Sequence, residues 1–283
     1  MKGNVMTSWN KFLLVMTVFA VSIVAAMITV ANSARAWDID KMNEQIEKTN
    51  VIVGGVCSGT IIGKKDRLVL TAYHCISDLF EKYTEEVVAP DGTISEVKKQ
   101  RKIPLEVWTN KVRDYQIVST VKYGAKIVGS DSKNDIALLQ ITDEDYVPPA
   151  VVKLAPDTYK YKRGLKVYAV GNPGIKFDNS ISEGIIAAPE RAIDFGTGTG
   201  EFKMFQHSAT TIGGNSGGSI LNDEGELIGT VTGGLRGAAI SFAIPVRFTK
   251  EMIRRAGFAA SVDGVELPVK LDSSKVYPYG GPL

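Results

Sequence analysis

Gly213-Gly214-Asn215-Ser216-Gly217-Gly218 decides how this chain is read, because it answers Thr71-Ala72-Tyr73-His74-Cys75 far upstream. A serine set among glycines is a candidate nucleophile whose neighbours must be bare backbone. A histidine beside a cysteine, closing the apolar run Leu68-Val69-Leu70, is a candidate base fixed by its surroundings. Between them stands Asn134-Asp135-Ile136-Ala137-Leu138-Leu139, an acid at the head of a strand-like run. Each piece has a plainer meaning by itself: a turn, a packed imidazole, a cap. Three pieces in the order His, Asp, Ser, each in a fitting local context, point instead to nucleophilic chemistry.

The residue types are those the chemistry needs. A serine hydroxyl attacks poorly until a base takes its proton, and an imidazole is suited to that task. His74 is the expected base, and Asp135 the group that orients its ring and stabilises the imidazolium. The turn Gly214, Asn215, Ser216 is the expected oxyanion site, with the backbone N–H groups of Gly214 and Ser216 as donors.

Two other serine-hydrolase arrangements fit less well. Gly214-Asn215-Ser216-Gly217-Gly218 also matches G-x-S-x-G, whose catalytic histidine follows the serine; the chain's two histidines, His74 and His207, both precede Ser216. An Asp-His-Ser order would need Asp66, which lies in the turn-like Gly63-Lys64-Lys65-Asp66-Arg67. His207, nine residues before Ser216, reads as a packed or surface side chain.

The match widens beyond the three residues. Cys57-Ser58-Gly59-Thr60-Ile61-Ile62, followed by the segment ending at His74-Cys75, resembles the histidine loop of trypsin-like proteases. Gly171-Asn172-Pro173-Gly174, Ser182-Glu183-Gly184-Ile185-Ile186, Gly225-Glu226-Leu227-Ile228-Gly229 and Ile240-Ser241-Phe242-Ala243-Ile244-Pro245 are closer to the HtrA/Deg branch. The resemblance covers roughly residues 50–256. It implies an all-β chymotrypsin fold: barrel one over about 50–150, barrel two over about 160–245, each of six antiparallel strands, and a closing helix over 245–256. It implies a serine endopeptidase acting through an acyl-enzyme, with His74 and Asp135 from the first barrel and Ser216 from the second. It also pairs Cys57 with Cys75 and calls for no cofactor and no metal. The segment 257–283 is too short for a PDZ domain, so sensing through such a domain is not expected. Ile52-Val53-Gly54-Gly55 imitates a zymogen's new N-terminus, but Asn215 replaces the acid that would pair with it, and no activation by insertion is expected. Without that ion pair, the resemblance further implies a Gly213-Gly214 turn that flips and forms the oxyanion site only when substrate binds.

By the same analogy Thr210, Thr211, Ile212, Val231, Thr232 and Gly233 line the specificity pocket. None is charged, which argues for small to medium apolar side chains before the scissile bond. Thr211 to Ser216 also resembles glutamyl endopeptidases, but these carry a histidine where this chain has Val231. The alternative of another class is a binding or scaffold module that keeps the barrels and not the activity.

Composition sets the surroundings. The chain has 283 residues, 44% hydrophobic and 23% charged, with net charge +2. These are ordinary globular values, and the charge gives no reason to expect nucleic acid. The expected partners are polypeptides, including unfolded ones; the oligomeric state is not readable. Residues 12–31 are uncharged, with Lys2 and Lys11 before them and Ala34-Arg35-Ala36 after. That is a signal peptide cut near Ala36, or an N-terminal membrane anchor. Either places the rest outside the cytoplasm, secreted or periplasmic, where a disulfide persists. Residues 37–49 read as a linker or short helix. Ile76 to Tyr83 reads as a helix, 84–104 as a charged solvated loop, and 257–283 as a tail.

Overall fold

Short β-branched runs separated by glycine- and asparagine-rich turns pair here into two closed sheets. The computed structural model describes residues 38–77, 79–88, 94–113, 116–194, 201–235 and 238–266. The apolar run 12–31, the cleavage motif at 34–36 and the end of the tail lie outside these residues. Among the described residues no helix is long and apolar enough to cross a membrane.

The first barrel takes β1 (Asn50–Val53), β2 (Cys57–Gly63), β3 (Leu68–Thr71), β6 (Glu106–Arg113), β7 (Gln116–Asp131) and β8 (Ile136–Ile141) in the cyclic order β1-β2-β3-β8-β7-β6. The second takes β9 (Lys166–Gly171), β10 (Ser180–Ile193), β11 (Phe202–His207), β12 (Ser219–Leu221), β13 (Leu227–Gly234) and β14 (Ser241–Pro245) in the order β10-β11-β14-β13-β12-β9. All pairings within the two barrels are antiparallel. Closure leaves no open edge. Val51, Val53, Ile61, Val69, Leu139 and Ile141 are among the side chains filling the first core. Ile186, Phe205, Ile220, Val231 and Ala243 belong to the second. The expected two-barrel, all-β fold is thus the fold observed.

The crossing between barrels is tied to both. Val152 donates its N–H to the Ile61 carbonyl at 2.9 Å, and Leu227 donates to the Lys153 carbonyl at 2.8 Å. The stretch read as a linker or short helix is α1 (Ile39–Thr49). It buries Met42 and Ile46, and its Gln45 amide reaches the Gly225 carbonyl at 2.8 Å.

Two segments differ from expectation. The helix after the histidine is one turn, α2 (His74–Ser77), and the chain then enters β4 (Phe80–Val88). What reads as a charged loop is a ribbon in which β4 pairs with β5 (Ile94–Lys102) from Phe80↔Lys102 to Val88↔Ile94. Phe80, Tyr83, Thr84, Val87 and Val88 favour strand, and the charges alternate across the pair, as at Lys99–Glu85, 2.7 Å. The closing helix α3 (Val246–Arg255) begins one residue after Pro245. Its Lys250 is fully buried on Asp157 at 2.9 Å, and Arg254 meets the same carboxylate at 2.7 Å.

Candidate active site

Asp135 sits at the turn that opens β8, in a left-handed conformation, φ 50°. That conformation is uncommon outside glycine but accessible to Asp and Asn. The turn is braced by Asp131, whose Oδ2 accepts from the Asn134 amide at 2.9 Å and from Arg255 of α3 at 2.8 Å. Burial alone would raise the Asp131 pKa; the hydrogen bonds from Asn134 and Arg255 outweigh it and hold the carboxyl below its ordinary range.

The Asp135 carboxylate, 9% exposed, grips His74 twice. The His74 backbone N–H donates to Oδ1 at 2.9 Å, and ring Nδ1 lies 3.0 and 2.9 Å from Oδ1 and Oδ2. This arrangement selects the tautomer with the proton on Nδ1 and leaves Nε2 as the acceptor. The Thr232 hydroxyl of β13 donates to Oδ2, so the second barrel also holds the acid.

Ser216 arrives from the second barrel on a turn pressed against the histidine loop. The Ser58 N–H donates to the Ser216 carbonyl at 2.8 Å, and Cys75 Sγ lies 3.7 Å from the same oxygen. A Cβ on Gly217, φ 82°, would lie 2.2 Å from Thr71 Oγ1 and 2.8 Å from the Ala72 nitrogen. No residue with a side chain fits there. Cys57 and Cys75 form a disulfide, which anchors the residue after His74 to the start of β2. Among the described residues no hydrogen bond joins His74 to Ser216; such bonds often tighten only when substrate is bound.

The preceding turn has one defined form. Asn215 donates its N–H to the Ile212 carbonyl at 3.0 Å, and Gly214 has φ 100°. A positive φ at the third position marks a type II turn. The Gly213 carbonyl accepts from the Gly174 N–H at 2.7 Å. Since the peptide is trans, the Gly214 N–H points the opposite way. Among the described residues neither the Gly214 nor the Ser216 N–H donates to another protein group. The expected flipped turn is therefore not the form this structure holds. The N–H of Asn215 is spent within the turn.

Beside Ser216 opens a cavity of about 660 Å³. Of the expected pocket residues, Thr210, Thr211, Ile212, Val231 and Gly233 line it, and Thr232 does not. Gly213, Gly234, Leu235, Ala238 and Ala239 also line it, and among the described residues the lining holds no charged group. His207 lies fully buried on β11, its ring 6.0 Å from that of Phe205, away from this lining. The Cys57, Cys75 and His74 side chains lie close together, but both sulfurs are committed to the disulfide.

A family model described as a trypsin-like peptidase domain matches residues 57–229. Serine protease Do-like HtrB of Bacillus subtilis is 40% identical over 110 residues, which cover 37% of this chain and 23% of that protein. Serine protease Do-like HtrA of the same organism is 36% identical over 110 residues, with the same coverage of 37% and 23%. A serine protease HtrA-like protein of Staphylococcus aureus is 32% identical over 156 residues, 52% of this chain and 20% of that protein. The matched stretch thus spans less than a quarter of the length of these relatives.

Proposed function

The chain belongs to the trypsin-like peptidase family, and on that premise we propose that it is a serine endopeptidase using His74, Asp135 and Ser216. The observation that carries this is the double grip of a buried Asp135 on His74, together with a serine on a turn where Gly214 and Gly217 leave no room for a Cβ. Ser216 Oγ attacks the scissile carbonyl carbon as its proton passes to His74 Nε2. The carbonyl oxygen becomes an oxyanion and receives the N–H groups of Gly214 and Ser216. Collapse breaks the C–N bond, and the leaving amine takes the proton from His74. Water then repeats the sequence on the acyl-enzyme.

The absence of charge among the described lining residues supports cleavage after small to medium apolar side chains, with substrate backbone pairing along Val231-Thr232-Gly233. A peptide library with a strong acidic or basic preference would overturn that specificity. The substrates are polypeptides, unfolded ones included. The Cys57–Cys75 disulfide supports a place outside the cytoplasm, secreted, periplasmic or anchored through residues 12–31.

Labelling with a fluorophosphonate probe tests the activity. The wild-type protein should label and Ser216→Ala should not. A well-folded wild type that neither labels nor cleaves unfolded protein would instead be a binding module on the same fold.

A further inference from the structure

The Gly213-Gly214 peptide can sit in either of two orientations. Glycines at both central positions make the type I and type II forms close in intrinsic energy. What selects between them must lie outside the turn. Two tethers bear on it here, the first on this peptide and the second on the next. One is the Gly174 N–H on the Gly213 carbonyl, already described. The other comes from the opposite barrel: the Ser58 hydroxyl donates to the Gly214 carbonyl at 2.7 Å.

Ser58 is fully buried on β2 and every polar atom it has is used. Its N–H holds the Ser216 carbonyl at 2.8 Å, and its own carbonyl accepts from the Thr71 hydroxyl at 2.8 Å. Its Oγ, while donating to Gly214, accepts the Asn172 N–H at 2.8 Å and lies 3.2 Å from the Asn172 amide nitrogen. That amide also donates to the Val51 carbonyl at 2.9 Å, and its oxygen accepts from Asn50 at 2.8 Å. A side chain from the first barrel is thereby wedged between the second barrel's nucleophile turn and the loop that flanks it. A hydroxyl is the smallest group able to donate to one backbone and accept from the other at once.

We propose that Ser58 is a positioning residue for the oxyanion site: its hydroxyl joins the Gly214 carbonyl to the Asn172 N–H and so holds the turn against the loop whose Gly174 N–H fixes the Gly213 carbonyl, which aims the Gly214 N–H before substrate arrives. The inference rests on the serine endopeptidase reading above. Removing the hydroxyl frees the Gly214 carbonyl and the Asn172 N–H together; the loop carrying Gly174 is no longer held to the turn, and the Gly213-Gly214 peptide gains access to its flipped form. The loss falls on the transition state, where the oxyanion exists, and not on ground-state binding.

The test uses the full-length protein and a peptide substrate, with a peptide boronate as transition-state analogue and the matching product peptide as ground-state ligand. Ser58→Ala should lower kcat about 10- to 100-fold, less than the loss of a donor outright, with KM within about 3-fold. Boronate affinity should fall in step with kcat while product-peptide affinity holds. Thr49→Val, which removes a different buried hydroxyl bonded to the Gln45 carbonyl, should lower stability and leave the kcat and the boronate affinity unchanged. If Ser58→Ala does not fold, Asn50→Ala loosens the same network one step away and should lower kcat about 3-fold with the same split. Equal loss of product-peptide and boronate affinity, or an unchanged kcat, would overturn the proposal. A wild type that neither labels nor cleaves would instead overturn the activity it rests on.

Discussion

The two barrels have the same strand number and the same closed pairing, yet they equip the site in opposite ways. The first supplies side chains, His74 and Asp135, each gripped by several hydrogen bonds. The second supplies the Ser216 hydroxyl and, around it, bare backbone: a turn where a Cβ on Gly214 would lie 2.4 Å from the Asn172 carbonyl oxygen. A side chain brings its own functional group and needs partners to hold its angle. A backbone N–H needs empty space around it and a tether on the neighbouring carbonyl. The interiors differ as well. They differ in a buried polar group that each leaves without a well-formed hydrogen bond: the Tyr146 hydroxyl in the first core, both ring nitrogens of His207 in the second. These differences say where each half should fail.

The largest effect should come from breaking the first barrel's grip. Asp135→Asn keeps the shape, and Asn tolerates φ 50° as well as Asp does. The carboxylate, however, accepts at both oxygens, from the His74 N–H and Nδ1 and from Thr232. An amide NH₂ in either orientation faces a donor, and turning it toward Nδ1 selects the wrong tautomer. We expect kcat to fall about 10⁴-fold with Tm close to wild type. A fall under tenfold would mean that Asp135 does not orient the base. Thr210, Ile212 and Val231 should be untouched, so KM should move little.

What was legible in the sequence follows the same division. Groups that owe their role to immediate neighbours could be read directly: Ser216 among its glycines, His74 beside Cys75, Asp135 heading an apolar strand. So could the strand pattern of both barrels, because short apolar runs alternate there with Gly and Pro turn signals. The braces could not. Ser58 and Gly214 are 156 residues apart, Arg255 and Asp131 are 124 apart, and Thr232 and Asp135 are 97 apart. Nothing local marks a hydroxyl that will donate across an interface. Thr232 was assigned to the pocket because its neighbours line it, yet its hydroxyl turns to the acid. Leu235, Ala238 and Ala239 were missed because they follow the strand whose analogy was used. The β4–β5 ribbon failed for another reason: with charges on both faces it lacks the apolar alternation that announces a buried strand.

A smaller effect sharpens the contrast between the halves. The chain's disulfide, Cys57–Cys75, lies wholly in the first, closing a loop of sequence separation 18. In the chain-entropy view such a loop contributes about 3 kcal/mol by restricting the unfolded chain. The double variant Cys57→Ala/Cys75→Ala should lose about that much in urea unfolding. Its native-state hydrogen exchange should rise around β2 and β3 more than around β11 and β14. Uniform loss of protection would mean that the two barrels unfold only as one unit.

The smallest effect isolates the second barrel through acid. Burial of His207 disfavours its charged form, and the Ala209 backbone opposes that only in part, so its pKa is lowered from 6.5 to about 4. The folded state therefore resists a proton that the unfolded chain accepts below about pH 6.5. The stability this confers is complete above the unfolded value and drains as pH falls from 6.5 toward 4. At pH 5 the loss relative to pH 8 should be about 2 kcal/mol. His74, the only other histidine, is exposed and lies at the first barrel. Urea unfolding at both pH values should show the drop in wild type and a drop smaller by about that amount in His207→Leu. Hydrogen exchange at pH 5 should place the weakening at β11 and β14, where His207 pairs with Ser241. If wild type and His207→Leu lose stability equally, the acid sensitivity belongs to the carboxylates, such as Asp131 of β7 and Asp157 of the crossing segment, that pair with α3.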